Sequence, residues 1–267
     1  LRQPLSAIVT TFNEEENIAD CLSTLGFADE ILVVDSFSTD RTVAIAGASP
    51  KTRVLQHPYA GNGPQCNWAM DQAAHPWILI VDADERVTPA LAREIDELLE
   101  KGPSADHYRL RRDNIFLGRV IRHSGWGQDR LVRLLRRGAA RYPEQRVHAD
   151  MHPEGPTPTL DAPLLHYTSR SLSLYVEKLH RYAEWGARDL AAKGRRAGFV
   201  AVALRPAWRF FRTFVLEAGF LDGLPGFVVC ALQSYGSFLK WARLWELRRM
   251  PPLPPGEGRG EGKTLNH

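Results

Sequence analysis

Through the first hundred residues, short unbroken apolar runs alternate with stretches whose apolar positions recur every three or four residues. LSAIVTTF at 5–12, ILVVDS at 31–36 and WILIVDAD at 77–84 are too short for helices and too uniformly apolar for half-exposed strands. They predict strands buried on both faces. Between the first two, Ile18, Cys21, Leu22 and Leu25 share one helical face; Asn13 is expected to cap that helix, with Glu16 three residues on completing a capping box. Thr39 and Asp40 sit where a short second helix over 42–48 would start, with capping expected from the hydroxyls of Ser38 and Thr39. Pro89 opens another helix, whose apolar side is Leu91, Ile95, Leu98 and Leu99. Such alternation predicts an α/β fold with a mainly parallel sheet and helices on both faces.

The pattern changes after residue 107. HYRLRRDNIF, RLVRLLRR and LLHYT read as strand pieces broken by Gly and Pro, forming an irregular extension to the sheet. From Ser171, the residues Leu172, Tyr175, Val176, Leu179, Tyr182 and Ala183 follow the helical period. Residues 199–247 are apolar but studded with arginine, and the most apolar window, 214–232, contains Glu217, Asp222 and Pro225, which argues against a clean membrane span. Amphipathic helices lying on an anionic bilayer, with Trp208, Trp241 and Trp245 at headgroup level, account for both the charge and the aromatics; a helical hairpin with solvated arginines is the alternative. PPLPPGEGRGEGKTLNH at the end has no core-forming pattern and predicts disorder. The expected organisation is a domain over 1–170, divided at about residue 100, a helical membrane-associating segment over 171–250 and a tail over 251–267.

Composition narrows this picture. Hydrophobic residues at 44% and charged residues at 24% exclude wholesale disorder, a collagen-like chain and a many-span transporter. Cys21, Cys66 and Cys230 are isolated, with no Cys-x-x-Cys pair, which fits neither a disulfide framework nor a structural zinc site. With no signal-like start, the cytoplasm is the expected compartment. The net charge of +3 conceals an asymmetry: residues 193–250 carry ten basic against three acidic side chains, or +7, and the tail is neutral, so 1–192 total 3 − 7 − 0 = −4. Arginines interleaved with long apolar stretches suit a bilayer better than a nucleic-acid backbone, so no nucleic acid is expected as a partner.

The sharpest chemical signal is VDADE at 81–85. Two carboxylates two apart on a strand point to one face, so Asp82 and Asp84 are expected to approach one ligand together, at the carboxyl strand ends where open α/β sheets bind ligands. Asp35 reaches the same edge from VVDSFSTDRT, and the Gly-rich AGNGPQCNWAM precedes the acidic strand. No G-x-G-x-x-G follows the first strand and no G-x-x-x-x-G-K-[ST] occurs, so dinucleotide and P-loop readings fail. The acidic pair follows a later strand than in an Asp-based phosphohydrolase.

In order and spacing, TTFNEEENI, VVDSFSTDRT, GNGPQCN and VDADE resemble the inverting glycosyltransferases of family 2, with the GT-A nucleotide-sugar fold. HSGWGQDRLVRLLRRG, RVHAD, LLHYTSRSL and GFLDGLPGF further resemble bacterial lipopolysaccharide core-biosynthesis glycosyltransferases. The resemblance implies a nucleotide-sugar donor, with Thr10 and Phe12 lining the base and ribose pocket, Asp35 helping to hold the nucleoside, and Asp82 and Asp84 forming the Asp-x-Asp motif. Asp84 would bind Mg2+ or Mn2+, with His166 as a further metal ligand by the same analogy; His148 is a weaker candidate. Such a metal neutralises charge developing on the diphosphate leaving group. Direct displacement needs a base near the acceptor hydroxyl, and Asp129 matches a Trp-x-x-Asp position of the narrower group; a surface ion pair with Arg130 or Arg133 is its alternative reading. The sequence departs from the family pattern at Ser36, where a second Asp is frequent, at Cys66, where a basic residue is frequent, and at Ala149, where a Glu is usual and Asp150 follows. Arg130, Arg133, Arg136 and Arg137 are candidates to grip diphosphate or an anionic acceptor. The implied activity is transfer of a sugar to a lipid-linked saccharide at the inner face of the cytoplasmic membrane. A catalytically inactive nucleotide-sugar-binding or scaffold protein is the alternative.

Overall fold

A computed structural model describes residues 1–143, 150–169 and 171–249. The chain divides into two units, at 170/171. In the first, the three apolar runs form β1 (Leu5–Thr11), β2 (Glu30–Asp35) and β4 (Trp77–Asp82), with β3 (Thr52–Gln56) between the last two. All four are parallel neighbours in the order β3-β2-β1-β4. Beyond β4 the sheet becomes mixed. β8 (Arg130–Arg136) lies antiparallel to β4, β6 (His107–Phe116) antiparallel to β8, β9 (Thr159–Ser169) parallel to β6, and β5 (Glu85–Val87) antiparallel to β9. The two-residue β7 (Arg119–Val120) pairs with β6.

Side-chain alternation explains why the parallel strands are apolar throughout. Leu5, Ala7, Val9, Ile31, Val33 and Leu79 form a core on one face with Ile18, Cys21 and Leu22 of α1 (Ile18–Ser23) and Leu91, Ile95 and Leu99 of α4 (Pro89–Lys101). Ile8, Leu32, Val34, Ile78 and Ile80 pack on the other with Cys66, Ala69 and Met70 of α3 (Asn62–Gln72). At α4 the reading of the start is confirmed in detail: Pro89 occupies the first turn and Thr88 Oγ1 accepts from Leu91 N at 3.1 Å.

Two local expectations fail for one reason. Asn13 does not cap α1; it sits at φ 53°, four residues short of Asn17 at the helix start. Its Oδ1 accepts from Thr39 N at 2.8 Å, and its own N donates to Ser38 Oγ at 2.8 Å. Ser38 and Thr39 likewise do not cap α2 (Thr42–Gly47), where Asp40 Oδ1 accepts from Thr42 N at 2.9 Å. The loops after β1 and β2 satisfy each other across parallel strands, and that long-range exchange replaces the local caps.

The second unit begins with α5 (Leu172–Ala192), where Ser171 Oγ accepts from Leu174 N at 3.2 Å. Then follow a π-helical turn over Val200–Leu204, α6 (Arg205–Phe211), another π-helical turn over Arg212–Leu216, a 3₁₀ turn over Gly219–Asp222, and α7 (Gly223–Arg249). Among the described residues no single helix is long and apolar enough to cross a membrane, whereas Val200–Leu216 and Gly219–Arg249 form a pair bent by 70° that passes by length and composition. Trp208 and Trp245 are exposed, but Trp241 is not at a surface: it is buried with Ala187 and Leu244, under the Arg205 guanidinium 4.3 Å above its ring. Nor is α7 cleanly amphipathic, since Val229, Cys230 and Leu244 are buried while Leu224, Phe227 and Phe238 are exposed. The tail expected to be disordered lies outside the described residues.

Candidate active site

Register gathers the first group of side chains. Thr10 on β1 pairs with Val34 on one side and Asp82 on the other, and Thr11 pairs with Asp35, so the carboxyl ends of β1, β2 and β4 meet at one edge. Thr10 is half-buried, and Phe12, just past the strand, is 56% exposed. Asp35 is fully buried. Its Oδ2 accepts from Ser38 N at 2.9 Å and Gln56 Nε2 at 3.1 Å, and its Oδ1 from the Ser38 hydroxyl, so it holds the turn after β2.

The departures at Ser36 and Cys66 acquire a structural meaning here. Ser36 Oγ accepts from Gln65 Nε2 at 3.1 Å, Gln65 Oε1 meets His57 Nδ1 at 2.9 Å, and His57 stacks on Trp68 with centroids 4.1 Å apart. Gln65 and His57 were not singled out from sequence. Cys66 points into the core, where burial pushes its thiol up to about 12. The thiol is therefore inert. The expected Gly-rich loop is short, because Asn62 already begins α3.

At the acidic turn the premise of strand alternation fails. β4 ends at Asp82, so strand alternation stops there, and Asp82 and Asp84 have different partners. Arg133 Nη2 of β8 donates to Asp82 Oδ2 at 2.5 Å and lies 3.4 Å from Glu85 Oε1. Glu85 is completely buried; its Oε2 accepts from Asp82 N at 2.9 Å, and Arg112 of β6 reaches its Oε1 at 3.2 Å. Arg112 also donates through Nε at 2.8 Å to Asp129 Oδ2, with Nη2 2.6 Å from the same oxygen. Two guanidiniums thus alternate with three carboxylates. Burial acts to discharge Arg133, but Asp82 and Glu85 outweigh it and hold the guanidinium well above its ordinary range, while burial pushes the Glu85 carboxyl up.

Asp84 faces β9. His166 Nε2 lies 3.3 Å from Asp84 Oδ2, and His166 Nδ1 lies 2.6 Å from Asn114 Oδ1 on β6. Asn114 Nδ2 in turn reaches Trp126 O and Asp129 Oδ2, both at 3.2 Å. The structure therefore joins Asp84, His166, Asn114 and Asp129 in one array. Among the described residues no three His, Cys, Asp or Glu side chains assemble as a metal set. A carboxylate and an imidazole are nonetheless ligands a divalent cation accepts, provided phosphate oxygens and water complete its shell; in that chemical sense Asp84 and His166 fit.

Asp129 stands just before β8 and pairs with Arg112, not with Arg130 or Arg133. Its two hydrogen bonds, from Arg112 Nε and Asn114 Nδ2, and its ion pair with Arg112 Nη2 all fall on Oδ2; among the described residues none reaches Oδ1. Of the four arginines expected to grip anions, only Arg133 enters the site, and it does so as a buried partner of carboxylates. Arg130 is exposed, Arg136 lies 3.6 Å from Asp106, and Arg137 donates to Ala73 O at 2.7 Å. Asp150 is exposed; His148 and Ala149 lie outside the described residues.

A parallel half with an acidic turn at the end of β4, extended by mixed strands, has the architecture of the GT-A fold. The chain belongs to glycosyl transferase family 2, whose model matches residues 6–151. The lipopolysaccharide core biosynthesis glycosyltransferase LpsC of Rhizobium meliloti is 29% identical over 94% of this chain and 95% of its own. An uncharacterised glycosyltransferase of Rickettsia bellii is 28% identical over 92% and 88%. Among solved structures, S. aureus TarS 1–349 in complex with UDP-GlcNAc matches with a TM-score of 0.50 at 16% identity, over 92% of this chain and 91% of that one. The mannosyltransferase PcManGT of Pyrobaculum calidifontis, in complex with GDP-Man and Mn2+, matches with 0.51 at 17%, over 93% and 87%. At these identities the structural matches support the fold alone.

Proposed function

We propose that this glycosyltransferase moves a sugar from a nucleotide-sugar donor to a lipid-linked saccharide, in lipopolysaccharide core or related envelope glycan synthesis, with inversion at the anomeric carbon. One observation carries the mechanism: Asp129 is hydrogen-bonded to Asn114 and Asn114 to His166, whose Nε2 lies 3.3 Å from Asp84, and one oxygen of Asp129 is left for substrate. Likeness to LpsC along nearly the whole of both chains supports the acceptor class.

Asp129 Oδ1 takes the proton of the acceptor hydroxyl as that oxygen bonds to the anomeric carbon and the bond to the donor phosphate breaks. Arg112 holds Oδ2 and so orients the carboxylate. Asp84 and His166 would hold Mg2+ or Mn2+, which supplies neutralisation of the diphosphate leaving group. Thr10, Phe12 and the turn held by Asp35 line the nucleoside side, and Arg133 keeps Asp82 in place at the strand end. The basic second unit would keep the enzyme on an anionic membrane surface, at the inner face of the cytoplasmic membrane.

Calorimetry with a panel of nucleoside diphosphates, with and without Mn2+, tests the donor half: one nucleotide should bind with metal to the wild type, and Asp84→Ala should lose that binding. Asp129→Asn should retain it while transfer falls by roughly 10²- to 10⁴-fold. Unchanged turnover in Asp129→Asn would remove the base from that position.

A further inference from the structure

Asn114 lies on β6, 4% exposed and in register with His166 of β9. Which end of its amide faces which neighbour is settled by chemistry. The Trp126 carbonyl and the Asp129 carboxylate, each 3.2 Å from Nδ2, are acceptors only, so the NH₂ end belongs there. The amide oxygen then faces His166 Nδ1 at 2.6 Å. An amide oxygen cannot donate, so Nδ1 must carry the ring proton.

The consequence falls on the opposite side of the ring. Neutral His166 then has a lone pair on Nε2, and 3.3 Å away stands a second acceptor, Asp84 Oδ2. Two acceptors at that separation repel each other, and a divalent cation that takes both as ligands removes that repulsion. A liganding imidazole that donates its other N–H to a carbonyl is the arrangement that fixes tautomer and ring orientation at metal centres. Asn114 is the same residue whose NH₂ holds Asp129, so a shift of the imidazole is passed to the carboxylate through one rigid amide.

We infer that Asn114 is a positioning residue: its amide locks His166 as the Nδ1–H tautomer, turning Nε2 and Asp84 into one divalent-cation site, and ties that site to the placement of Asp129. This rests on the reading of Asp84 and His166 as metal donors, and nothing in the sequence patterns had drawn attention to Asn114.

Two variants separate the roles. Asn114→Leu removes both ends of the amide. Asn114→Asp keeps an acceptor for His166 Nδ1–H but places a carboxylate against Asp129. ¹⁵N spectra of the metal-free full chain at pH 9, where free imidazole is neutral, should show His166 as Nδ1–H in wild type and Asn114→Asp and lose that preference in Asn114→Leu. Mn2+ binding, followed by electron paramagnetic resonance with inorganic diphosphate present, should weaken roughly 10- to 100-fold in Asn114→Leu. In Asn114→Asp it should stay close to wild type while kcat falls. If Asn114→Leu fails to fold, the wild-type tautomer and the Asn114→Asp pair still decide. An Nε2–H tautomer in the wild type, or wild-type Mn2+ affinity in Asn114→Leu, overturns the inference alone. A wild type that binds no Mn2+ even with diphosphate overturns the reading of Asp84 and His166, and the inference with it.

Discussion

Arg133 is the side chain on which the acidic turn depends. It is buried against Asp82 and the wholly buried Glu85, so Arg133→Leu strips Asp82 of its cation and leaves the buried Glu85 with Arg112 alone. The expected cost is about 3–5 kcal/mol, read as a lower urea midpoint with unchanged slope. Adding Glu85→Gln should recover part of that loss, because the carboxylate that cannot reach water is then neutral; a double variant no more stable than Arg133→Leu would show that the penalty is packing. At this scale the sequence was half legible. Asp82 and Asp84 stood out as carboxylates ending an apolar strand and Glu85 did not, but the partners of all three come from β6, β8 and β9, and which arginine of RLVRLLRR turns inward depends on strand order. A signal was present, since Arg133 lies between Val132 and Leu134 within an apolar run. Asn114 offered none: an asparagine in a strand-like stretch acquires its role only when β9 is laid beside β6.

The turn between β7 and β8 is the element that sets Asp129, and Gly127 is its tightest point. A Cβ built there would lie 1.7 Å from the Arg122 carbonyl oxygen, so Gly127→Ala forces the backbone apart next to Trp126, whose carbonyl holds Asn114. Transfer should fall at least as far as in a variant of Asn114, while nucleoside diphosphate affinity measured without metal stays put, because the turn is remote in sequence from β1, β2 and α3; weakened metal-free nucleotide binding in Gly127→Ala would mean the damage spreads beyond the turn. Element legibility followed length and periodicity. The long uniform runs became β1, β2 and β4, and the capped, strongly periodic stretch became α4. β3, β5 and β7, at five, three and two residues, are too short to carry a period. The antiparallel setting of β8 and the parallel pairing of β6 with β9 were not legible, since side-chain alternation is the same in either direction. Asn13 was misplaced because local capping was weighed without the loop after β2, which arrives only when the strands pair.

Taken whole, the chain splits by charge as well as by structure. The first 192 residues are acidic and the segment 193–250 is strongly basic, and the second unit also exposes Leu216, Phe220, Leu221 and, at 75%, Leu224 around the 70° bend. Phe214 packs edge-on against Phe220 and Phe227, with centroids 6.2 and 5.8 Å apart, which stiffens the bend. A Cβ on Gly226 would lie 2.1 Å from the Gly219 carbonyl oxygen, so the packing of the 3₁₀ turn against the first turn of α7 requires glycine there. For the proposed membrane role, these exposed residues are the insertable part and the arginines the electrostatic part. Each apolar side chain moved from water into the acyl boundary is worth about 1.5–3 kcal/mol when fully buried, and Arg205, Arg209 and Arg212 add attraction that salt screens. Replacing Leu216, Phe220, Leu221 and Leu224 together by serine should leave the thermal midpoint nearly unchanged, because all four already face solvent. It should weaken flotation with phosphatidylglycerol-containing vesicles by about tenfold or more, the equivalent of 1.4 kcal/mol. High salt should weaken the wild type further on those vesicles and make no difference on neutral ones. Undiminished flotation of the serine variant would locate the contact elsewhere in the chain, and a wild type that floats with neither kind of vesicle would leave the exposed apolar residues to a protein partner and end the bilayer reading.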